Sequence, residues 1–499
     1  MIFNLKRLNA VALAAALLIP SLDAEDAFAI PPILEQQRVQ EPKRNPEFIS
    51  PPGLRARVEF WKSVFTKYGK DQVVIHHRLY PQVMFKVLDF GPVSESRSKQ
   101  GYDKFKKQVT EQKVNEIKVI LASLAQGETP NSPLARQIVE SMKFLPGGTR
   151  KYSKVVEADL IRTQTGIKER YIEALKRSGR YLPIMESIFT KEYGLPRELT
   201  CIPFIESSFD YTAYSSVGAA GIWQFMQRTG RSYMTINSFV DERRDPIEAT
   251  RAAARYLSSA YTRLGSWPLS ITSYNHGVGG VRGKVRAAGT TDIVTLLETH
   301  GDRPFGFASG NFYPEFLAAL EIHDDPNKYF PGIVLEPPLS VAQIKLTQPV
   351  SVAYLTQKLG ISTDELKKVN YGIGSAIWAG RYRIPAGYNL KVPSTYSPRL
   401  VALRQPEPTT KISAPPASAV SSTGTSYKVR KGDTLIGIAK KFRTTIQALR
   451  QANGLGPTQP LPIGETILIK AERVPATVKT VAKPKAKAKV LPNKIGKKK

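Results

Sequence analysis

The residues best suited to chemistry lie in one stretch, 205–226, which reads IESSFDYTAYSSVGAAGIWQFM. Glu206 is expected near the end of a helix whose apolar side carries Leu199 and Ile202. A carboxyl group at a helix C-terminus among apolar neighbours has its pKa raised by desolvation and by the helix dipole. Such a group stays protonated near neutral pH and can act as a general acid. The structural alternative is a helix-end acid paired with one of the many arginines.

The residues after Glu206 have the composition of a loop that contacts a ligand. Gly218 and Gly221 would let the backbone approach a ligand closely, because glycine has no Cβ. Trp223, Gln224 and Met226 are expected on the next helix. Aromatic and Met side chains at helical spacing are usually core residues. We assign Trp223 to the core and Met226 to a cleft.

Several short elements follow one another in a fixed order. They are Glu206-Ser207, Ser215-x-x-Gly218-Ala219-x-Gly221, Gln224-x-Met226 and the segment Ser273 to Val281. Together they resemble the soluble lytic transglycosylase family, and with the C-terminal LysM modules the chain is similar to its membrane-bound lytic murein transglycosylase D type. The resemblance covers the block 182–330 and the C-terminal modules, and it covers the N-terminal region loosely.

The resemblance implies a lysozyme-like helical domain that cleaves the β-1,4 bond between N-acetylmuramic acid and N-acetylglucosamine in peptidoglycan. In the family, the glutamate matching Glu206 protonates the glycosidic oxygen and then takes a proton from the muramic acid C6 hydroxyl, which closes a 1,6-anhydro ring. One carboxylate suffices because the nucleophile is part of the substrate, where effective molarities of about 10⁵ to 10⁸ M are available. Asp210 is the obvious second carboxylate, but we expect it to form a turn or cap.

The residue-by-residue match implies further substrate contacts. Ser215 would hydrogen-bond the acetamido group of the substrate, and Gln224 and Met226 would line the cleft. Tyr274 would point its hydroxyl at Glu206 or at the bound sugar. Asn275 is a substrate-binding candidate, although a buried structural amide that holds the loop is the favoured alternative.

Two positions depart from the family pattern. His276 stands where the family often has Ala, and we expect it to neighbour the cleft. The family also tends to have a glutamate in the segment that corresponds to 305–320, and the matching position here is close to Ala308. Asn311 or Tyr313 is expected to replace the hydrogen bond of that missing acid.

The sequence predicts a mainly α protein. Residues 30–181 read as a mostly helical region with short strands at 73–75 and 83–88, and the catalytic block spans 182–330. The clearest helix begins after Asp245 as N-cap and ends before Gly265. These elements carry no chemistry of their own and would position the segment around Glu206.

Two C-terminal segments look like copies of a small βααβ unit. Residues 427–470 resemble a LysM module, which binds N-acetylglucosamine runs, and the resemblance assigns glycan binding to Gly432, Asp433, Thr434 and Asn453. Residues 345–393 form a degenerate LysM-like copy, with Pro349-Val350 in place of the Gly-Asp turn. This copy could bind glycan or be structural.

Composition and charge indicate where the protein works. The chain has 499 residues, a net charge of +30 and a single cysteine, and its five histidines show no metal-ligand spacing, so no metal or cofactor is expected. Residues 1–29 read as a signal peptide cut near Ala29, the alternative being a buried N-terminal helix. Export to the periplasm or cell envelope argues against nucleic acid as the basic surface's partner. Peptidoglycan glycan strands are the expected partner.

Two further segments are expected to lack a folded core. Residues 398–426 read as a Pro/Ser/Thr-rich linker, and residues 471–499 as a basic disordered tail with ten Lys and Arg against one Glu. The tail could hold the protein peripherally at a membrane or the wall, or could only aid solubility. Two other functions stay open from the sequence: a muramidase that uses water, and a non-catalytic wall-binding scaffold.

Overall fold

The computed structural model describes residues 45–129, 132–298, 305–404, 425–430, 432–442, 444–453, 455, 464 and 466–469. The chain divides into two compact units, Met1–Pro408 and Thr409–Lys499. The predicted signal peptide 1–29, the predicted tail 471–499 and most of the predicted linker 398–426 lie outside the described residues.

A three-stranded antiparallel sheet lies in the N-terminal region. Its strands are β1 (Gln72–His77), β2 (Met84–Asp89) and β3 (Ile161–Thr165), and β1 is central. The two strands predicted from their β-branched and aromatic residues are confirmed. The sequence analysis missed β3, whose IRTQT sequence is too polar to signal a strand.

Helices make up the rest of the N-terminal region. They are α1 (Arg55–Thr66), α2 (Gly91–Ser94), α3 (Lys99–Ala125), α4 (Pro133–Ser141), α5 (Arg150–Glu157) and α6 (Lys168–Ser187). Serine caps begin two of them, since Ser98 accepts a hydrogen bond at the start of α3 and Ser132 does so at the start of α4. Helix α6 runs straight through residue 182, where the sequence suggested that a new domain begins.

A second group of helices surrounds Glu206. They are α7 (Ile202–Glu206), α8 (Gln227–Gly230), α9 (Pro246–Leu264), α10 (Trp267–His276), α11 (Val278–Ala288), α12 (Ile293–Glu298), α13 (Phe307–Asp324) and α14 (Pro326–Tyr329). Short 3-10 helices span Pro46–Phe48, Pro52–Leu54, Arg197–Cys201, Glu242–Arg244 and Ser394–Arg404, and a π-helical turn spans Ile188–Glu192. The prediction of a mainly α protein is confirmed.

Helix α9 has the ends that its sequence predicts. The Asp245 side chain accepts hydrogen bonds from the backbone N–H groups of Ile247 and Glu248, at 3.0 and 3.2 Å. Gly265 ends the helix in the left-handed conformation, with φ of 66°.

Helix α13 joins the N-terminal region to the segment around Glu206. It packs against α1, α7 and α10, and one hydrophobic core extends from Phe48 to Phe330. Pro314 lies inside α13 and has no N–H to donate to the carbonyl of Gly310. The Arg57 guanidinium donates to that carbonyl instead, at 3.1 Å, so α1 satisfies the group that the proline leaves unpaired.

The LysM-like copy is a complete βααβ unit within the first compact unit. It contains β4 (Val341–Lys345), α15 (Val352–Leu359), α16 (Thr363–Lys367), a single turn α17 (Ser375–Trp378) and β5 (Asn389–Pro393), and β4 pairs antiparallel with β5. The 3-10 helix Ser394–Arg404 follows, with Leu400 buried. The folded part therefore extends into the segment that the sequence assigned to the linker.

The second compact unit contains a second βααβ unit. Its elements are β6 (Thr425–Lys428), α18 (Leu435–Lys441), α19 (Ile446–Asn453) and β7 (Thr466–Ile469), with β6 and β7 antiparallel. A small core of Ile438, Leu449, Ile467 and Ile469 holds it together. The βααβ prediction is confirmed for both copies.

No helix in the described ranges is both long and apolar enough to cross a membrane. Across the same ranges, no cluster of three or more His, Cys, Asp or Glu side chains could hold a metal ion.

Candidate active site

Glu206 is the last residue of the five-residue helix α7. The 3-10 helix Arg197–Cys201 leads directly into α7, and the side chains of Ile202 and Phe204 are buried in the core. Apolar packing thus fixes the helix, while the Glu206 side chain keeps part of its surface exposed.

The backbone after Glu206 turns through an unusual conformation. Ser208 and Phe209 both have positive φ angles, 59° and 57°, which for residues with a Cβ costs about 1–3 kcal/mol each. Arg170 donates to the Ser208 hydroxyl at 2.8 Å, and Arg177 donates to the Ser208 carbonyl at 2.6 Å. The Phe209 ring is fully buried. These contacts hold the strained turn that orients the end of α7.

Burial raises the pKa of Glu206 to about 8. Among the described residues, no hydrogen bond or ion pair engages its carboxylate. The alternative of a helix-end acid paired with an arginine is therefore wrong for this part of the chain. A carboxyl in this environment is protonated at neutral pH, as a general acid must be.

A second carboxyl group, Glu315 on α13, faces the same region. Burial raises the pKa of Glu315 to about 8, the charge of Glu206 acts in the same direction, and the charge of Arg162 opposes both. The sequence analysis missed Glu315. A signal was available, because Glu315 follows Ala308 by seven residues, or about two helical turns, and so lies on the same helix face as the position of the missing acid.

The two residues expected to replace that missing acid are engaged elsewhere. The Asn311 amide oxygen accepts from the Trp61 indole at 3.0 Å, and its nitrogen donates to the Phe307 carbonyl. The Tyr313 hydroxyl donates to the backbone carbonyl of Glu47 at 2.7 Å. That expectation is wrong, because both side chains bind the N-terminal segment or their own helix.

Asp210 has the capping role expected of it. Its carboxylate accepts hydrogen bonds from the backbone N–H and the hydroxyl of Thr212, at 2.8 and 2.6 Å. Asp210 therefore closes a turn immediately after α7.

The loop containing Ser215 is held by hydrogen bonds within the protein. The Ser215 hydroxyl accepts from the backbone N–H of Ala219 at 2.9 Å, so its own proton is still available to a ligand. The buried Arg243 guanidinium donates to the carbonyls of Gly218 and Phe225, at 2.8 and 3.2 Å. Asp241 in turn pairs with Arg243 at 2.7 Å.

Gly221 is required for a contact within the protein. A Cβ atom there would lie 1.7 Å from the Arg243 carbonyl oxygen, and φ is +77°. Gly218 also has a positive φ, +90°, but the nearest atom to its Cβ position is 3.8 Å away. The expectation that both glycines admit a ligand is wrong for Gly221, where the protein's own backbone fills the space.

The segment 222–226 is a turn that precedes α8, so the helix predicted for it is wrong. Gln224 has a φ of 50° and donates to the Gly221 carbonyl at 2.8 Å, a conformation that no helix contains. Trp223 is fully buried and stacks on Phe189, which confirms its core assignment. Met226 is 44% exposed, as a cleft position requires.

Tyr274 and Asn275 lie near the end of α10. The Tyr274 hydroxyl donates to the Trp223 carbonyl at 2.8 Å, and burial followed by the charge of Glu206 raises the pKa of this phenol. Tyr274 thus lies close to Glu206 but directs its hydroxyl to the backbone. Asn275 accepts from the Ser309 hydroxyl at 2.7 Å, which links α10 to α13. Its side chain is exposed, so the alternative of a buried structural amide is wrong. The His276 ring contacts the same hydroxyl at 3.1 Å.

The turn residues of the C-terminal βααβ unit have structural partners. Gly432 has a φ of 95°, and Asp433 accepts from the backbone N–H of Arg430 at 2.7 Å. The Thr434 hydroxyl caps α18 by accepting from the Gly437 N–H at 3.0 Å. They shape the turn between β6 and α18.

Asn453 ties α19 to β7. Its amide nitrogen donates to the Leu468 carbonyl at 2.8 Å, and its oxygen accepts from the Leu468 N–H at 2.6 Å. In the LysM-like copy, Asn370 makes the same pair of bonds with the backbone of Lys391. The equivalence shows that this asparagine is a structural element of both units.

The comparisons with known proteins agree with these two kinds of domain. Residues 185–296 match the family model described as the transglycosylase SLT domain, and residues 427–470 match the LysM domain. The chain therefore carries a transglycosylase SLT domain followed by a LysM domain.

Among whole proteins, the chain is similar to membrane-bound lytic murein transglycosylase D of Escherichia coli strain K12. The two are 30% identical over 293 residues, which cover 55% of this chain and 61% of that protein. The protein of the same description from Escherichia coli O6:H1 gives the same values. The chain thus spans less than two thirds of the length of these relatives.

Two solved structures also align with part of the chain. The lytic transglycosylase Slt from Pseudomonas aeruginosa is 18% identical, covers 40% of this chain and 34% of its own, and has a TM-score of 0.23. The 70 kDa soluble lytic transglycosylase of Escherichia coli is 16% identical, covers 48% and 47%, and has a TM-score of 0.26.

Proposed function

We propose that the protein is a lytic transglycosylase that cleaves the β-1,4 bond between N-acetylmuramic acid and N-acetylglucosamine in peptidoglycan and leaves 1,6-anhydromuramic acid ends. The SLT domain and the relatives' activity support this reaction. The observation that carries the proposal is the Glu206 carboxyl, which burial keeps protonated at neutral pH at the end of α7.

The proposed mechanism uses Glu206 first as an acid and then as a base. Its proton goes to the glycosidic oxygen as that bond breaks, and the resulting carboxylate takes the proton of the C6 hydroxyl as its oxygen bonds to C1. Because burial makes the Glu206 carboxylate costly, the ionised state is a strong base in this site. The Ser215 hydroxyl donates to the substrate acetamido group, and Gln224, Met226 and Tyr274 border the sugar.

Glu315 favours one alternative reaction. Hydrolytic glycosidases use two carboxyl groups, one of which activates water or attacks the sugar. Glu315 is the acid whose pKa responds to the charge of Glu206. Its pKa of about 8 argues against this alternative at neutral pH, because a protonated carboxyl is neither a base nor a nucleophile.

The LysM domain supports a tethering role. A weak glycan-binding module linked to an enzyme raises the local substrate concentration without new contacts at the active site. The net charge of +30 adds attraction to the acidic peptides of the wall, which salt screens. We also propose export by a signal peptide cut near Ala29, and a location in the periplasm or cell envelope with peripheral association to the wall or a membrane.

Analysis of the released fragments tests the reaction. Purified peptidoglycan is digested with the mature protein, Glu206→Gln and Glu315→Gln, and the muropeptides are identified by mass spectrometry. We expect anhydro ends from the mature protein, none from Glu206→Gln, and anhydro ends that persist with Glu315→Gln. Glu111→Gln, an exposed change on α3, is the matched control and keeps full activity.

Two other results would replace the proposal. Reducing ends that disappear with both Glu206→Gln and Glu315→Gln would identify a two-carboxylate muramidase. No release by any variant, with wall binding retained, would identify a non-catalytic scaffold.

A further inference from the structure

A cavity of about 510 Å³ opens between the SLT domain and the LysM-like copy. Four basic side chains line it together with two acidic ones, Asp210 and Glu336. Helix α6 supplies Arg177 and Arg180, and the end of α16 supplies Lys367 and Lys368. We name this cavity the seam pocket, because neither domain forms it alone.

Tyrosines form the other wall of the seam pocket. The rings of Tyr211 and Tyr371, one from each domain, lie with centroids 4.0 Å apart. The Tyr371 hydroxyl interacts with both Arg180 and Tyr181. The hydrogen bond from Arg180 to the Tyr371 hydroxyl therefore holds Arg180 at the pocket wall.

The charge of the seam pocket is only partly balanced. Arg177 is committed to the Ser208 carbonyl, and Lys367 pairs with Asp364 at 3.0 Å. No carboxylate in the described part of the chain lies within 4.0 Å of the side-chain nitrogens of Arg180 or Lys368. Glu336 lies near enough to act on Arg180 through its charge, but within these residues neither Arg180 nor Lys368 forms a direct ion pair. Four cations against two acids leave the lining net positive.

The two domains meet rigidly around the seam pocket. Lys391 of β5 is fully buried and pairs with Asp245 at 2.8 Å and with Glu248 at 2.9 Å, both on the SLT side. The backbone of Gly372 accepts a hydrogen bond from the Asp241 N–H at 2.8 Å. A pocket between such firmly joined surfaces is preformed, so binding there would not require ordering the walls.

The seam pocket also borders the segment that follows Glu206. Tyr211 lines it five residues after Glu206, and Arg177 holds the strained turn between them. The pocket therefore borders the chain segment that leads away from the end of α7.

We propose that the seam pocket binds the carboxylate-bearing peptide stem of the peptidoglycan strand, an inference that rests on the proposed function. Guanidinium and ammonium groups recognise carboxylates through charge-assisted hydrogen bonds. The sugars of the intact strand carry no charged group that could bind Arg180 and Lys368. The stem carries several carboxylates, which could bind both cations. The tyrosine rings pack against the aliphatic parts of the stem.

Binding of a free stem peptide tests this proposal directly. The full chain is titrated with the tripeptide L-alanyl-γ-D-glutamyl-diaminopimelate in a calorimeter, together with the double variant Arg180→Gln/Lys368→Gln. We expect the wild type to bind the tripeptide. The double variant should bind it at least about tenfold more weakly. Lys104→Gln/Lys107→Gln, on the exposed face of α3, removes the same charge elsewhere and should bind like the wild type.

Lys368→Gln alone keeps the test valid if Arg180→Gln disturbs Tyr371, because Lys368 is exposed at the mouth of the pocket. In turnover assays, the double variant should raise KM for stem-bearing strands severalfold, with kcat and the KM for amidase-stripped strands unchanged. Absence of peptide binding by the wild type, or equal binding by all variants, would overturn the proposal. A loss on stripped strands as well would show that the pocket binds the glycan strand itself, including the lactyl carboxylate that the amidase leaves on muramic acid, and would overturn the assignment to the stem. Failure of the proposed function is distinct: no strand would be cleaved, while the peptide would still bind.

Discussion

Replacing Glu206 with Gln should change how the stability of the folded protein depends on pH. Burial raises the pKa of this carboxyl from 4.5 to about 8. Between these two pH values the unfolded chain has released the proton while the folded chain still holds it. Stability depends on pH through the difference in bound protons, so the free energy of unfolding falls as pH rises through this window.

The size of the effect follows from the same shift. Each pH unit in the window removes about 1.4 kcal/mol, so the whole window would remove about 5 kcal/mol. Glu206 keeps part of its surface exposed, and water screens some of the cost, so we expect about 2–3 kcal/mol. A glutamine has no proton to lose, so the free energy of unfolding of the variant does not fall for this reason. Glu206→Gln should therefore match the wild type near pH 4.5 and be the more stable protein at pH 9.

Thermal unfolding of both proteins between pH 4.5 and 9 measures the difference. At about 2 °C per kcal/mol for a chain of this size, the variant should gain about 4–6 °C on the wild type across the range. Glu315 is present in both proteins, so most of its own titration cancels. Glu111→Gln, with its exposed side chain, should give a flat difference. A constant offset between Glu206→Gln and the wild type at every pH would refute the reasoning.

Two further substitutions test the packing that supports the site. Lys391→Met should lower the free energy of unfolding by about 3–5 kcal/mol in denaturant titrations, because Asp245 would be left buried without a cation and Glu248 would keep only Arg251. A change under 1 kcal/mol would contradict this. Gly221→Ala should abolish turnover and lower Tm, since its Cβ would lie 1.7 Å from the carbonyl oxygen that faces it. Gly218→Ala is the matched control, because Gly218 also has a positive φ but has open space at its Cβ position. Equal losses in both variants would show that backbone strain, and not the clash with the carbonyl oxygen, causes them.

The local features of the fold were predictable from the sequence. The Asp245 cap, the Gly265 stop and the two strands at 73–75 and 83–88 depend on a few adjacent residues, and each is found where it is expected. Glu206 can be proposed from the sequence because its motif lies in one continuous stretch, 205–226. Features that depend only on neighbouring residues can be predicted from the sequence.

The features that were missed depend on contacts between distant residues. Glu315 lies more than 100 residues from Glu206, and only the packing of α13 on α7 brings the two carboxyl groups together. The sequence also gives no sign that Asn311 would be used by Trp61, an interaction across 250 residues. The sequence also predicts Gln224 on a helix, whereas its φ of 50° belongs to a turn.

Lys391 shows most clearly how packing overrides a sequence pattern. In β5, Leu390 and Val392 point into the core of the LysM-like copy, so alternation predicts that Lys391 faces water. The asparagine bonds make Lys391 the counterpart of Leu468, which is 36% exposed in the C-terminal unit. At Lys391 that outer face is covered by α9 instead. A lysine is tolerated there because two acids of α9 neutralise it.

The same docking reaches the loop that borders Glu206. The Asp241 N–H donates to the Gly372 carbonyl of the LysM-like copy, and the Asp241 carboxylate holds Arg243. Arg243 in turn holds the carbonyls of Gly218 and Phe225 at the two ends of the glycine-rich loop. A continuous series of hydrogen bonds thus connects the degenerate copy to the candidate active site. The degenerate copy would then depart from the LysM pattern because its surface packs against the SLT domain. Glycan binding would be the function of the C-terminal unit.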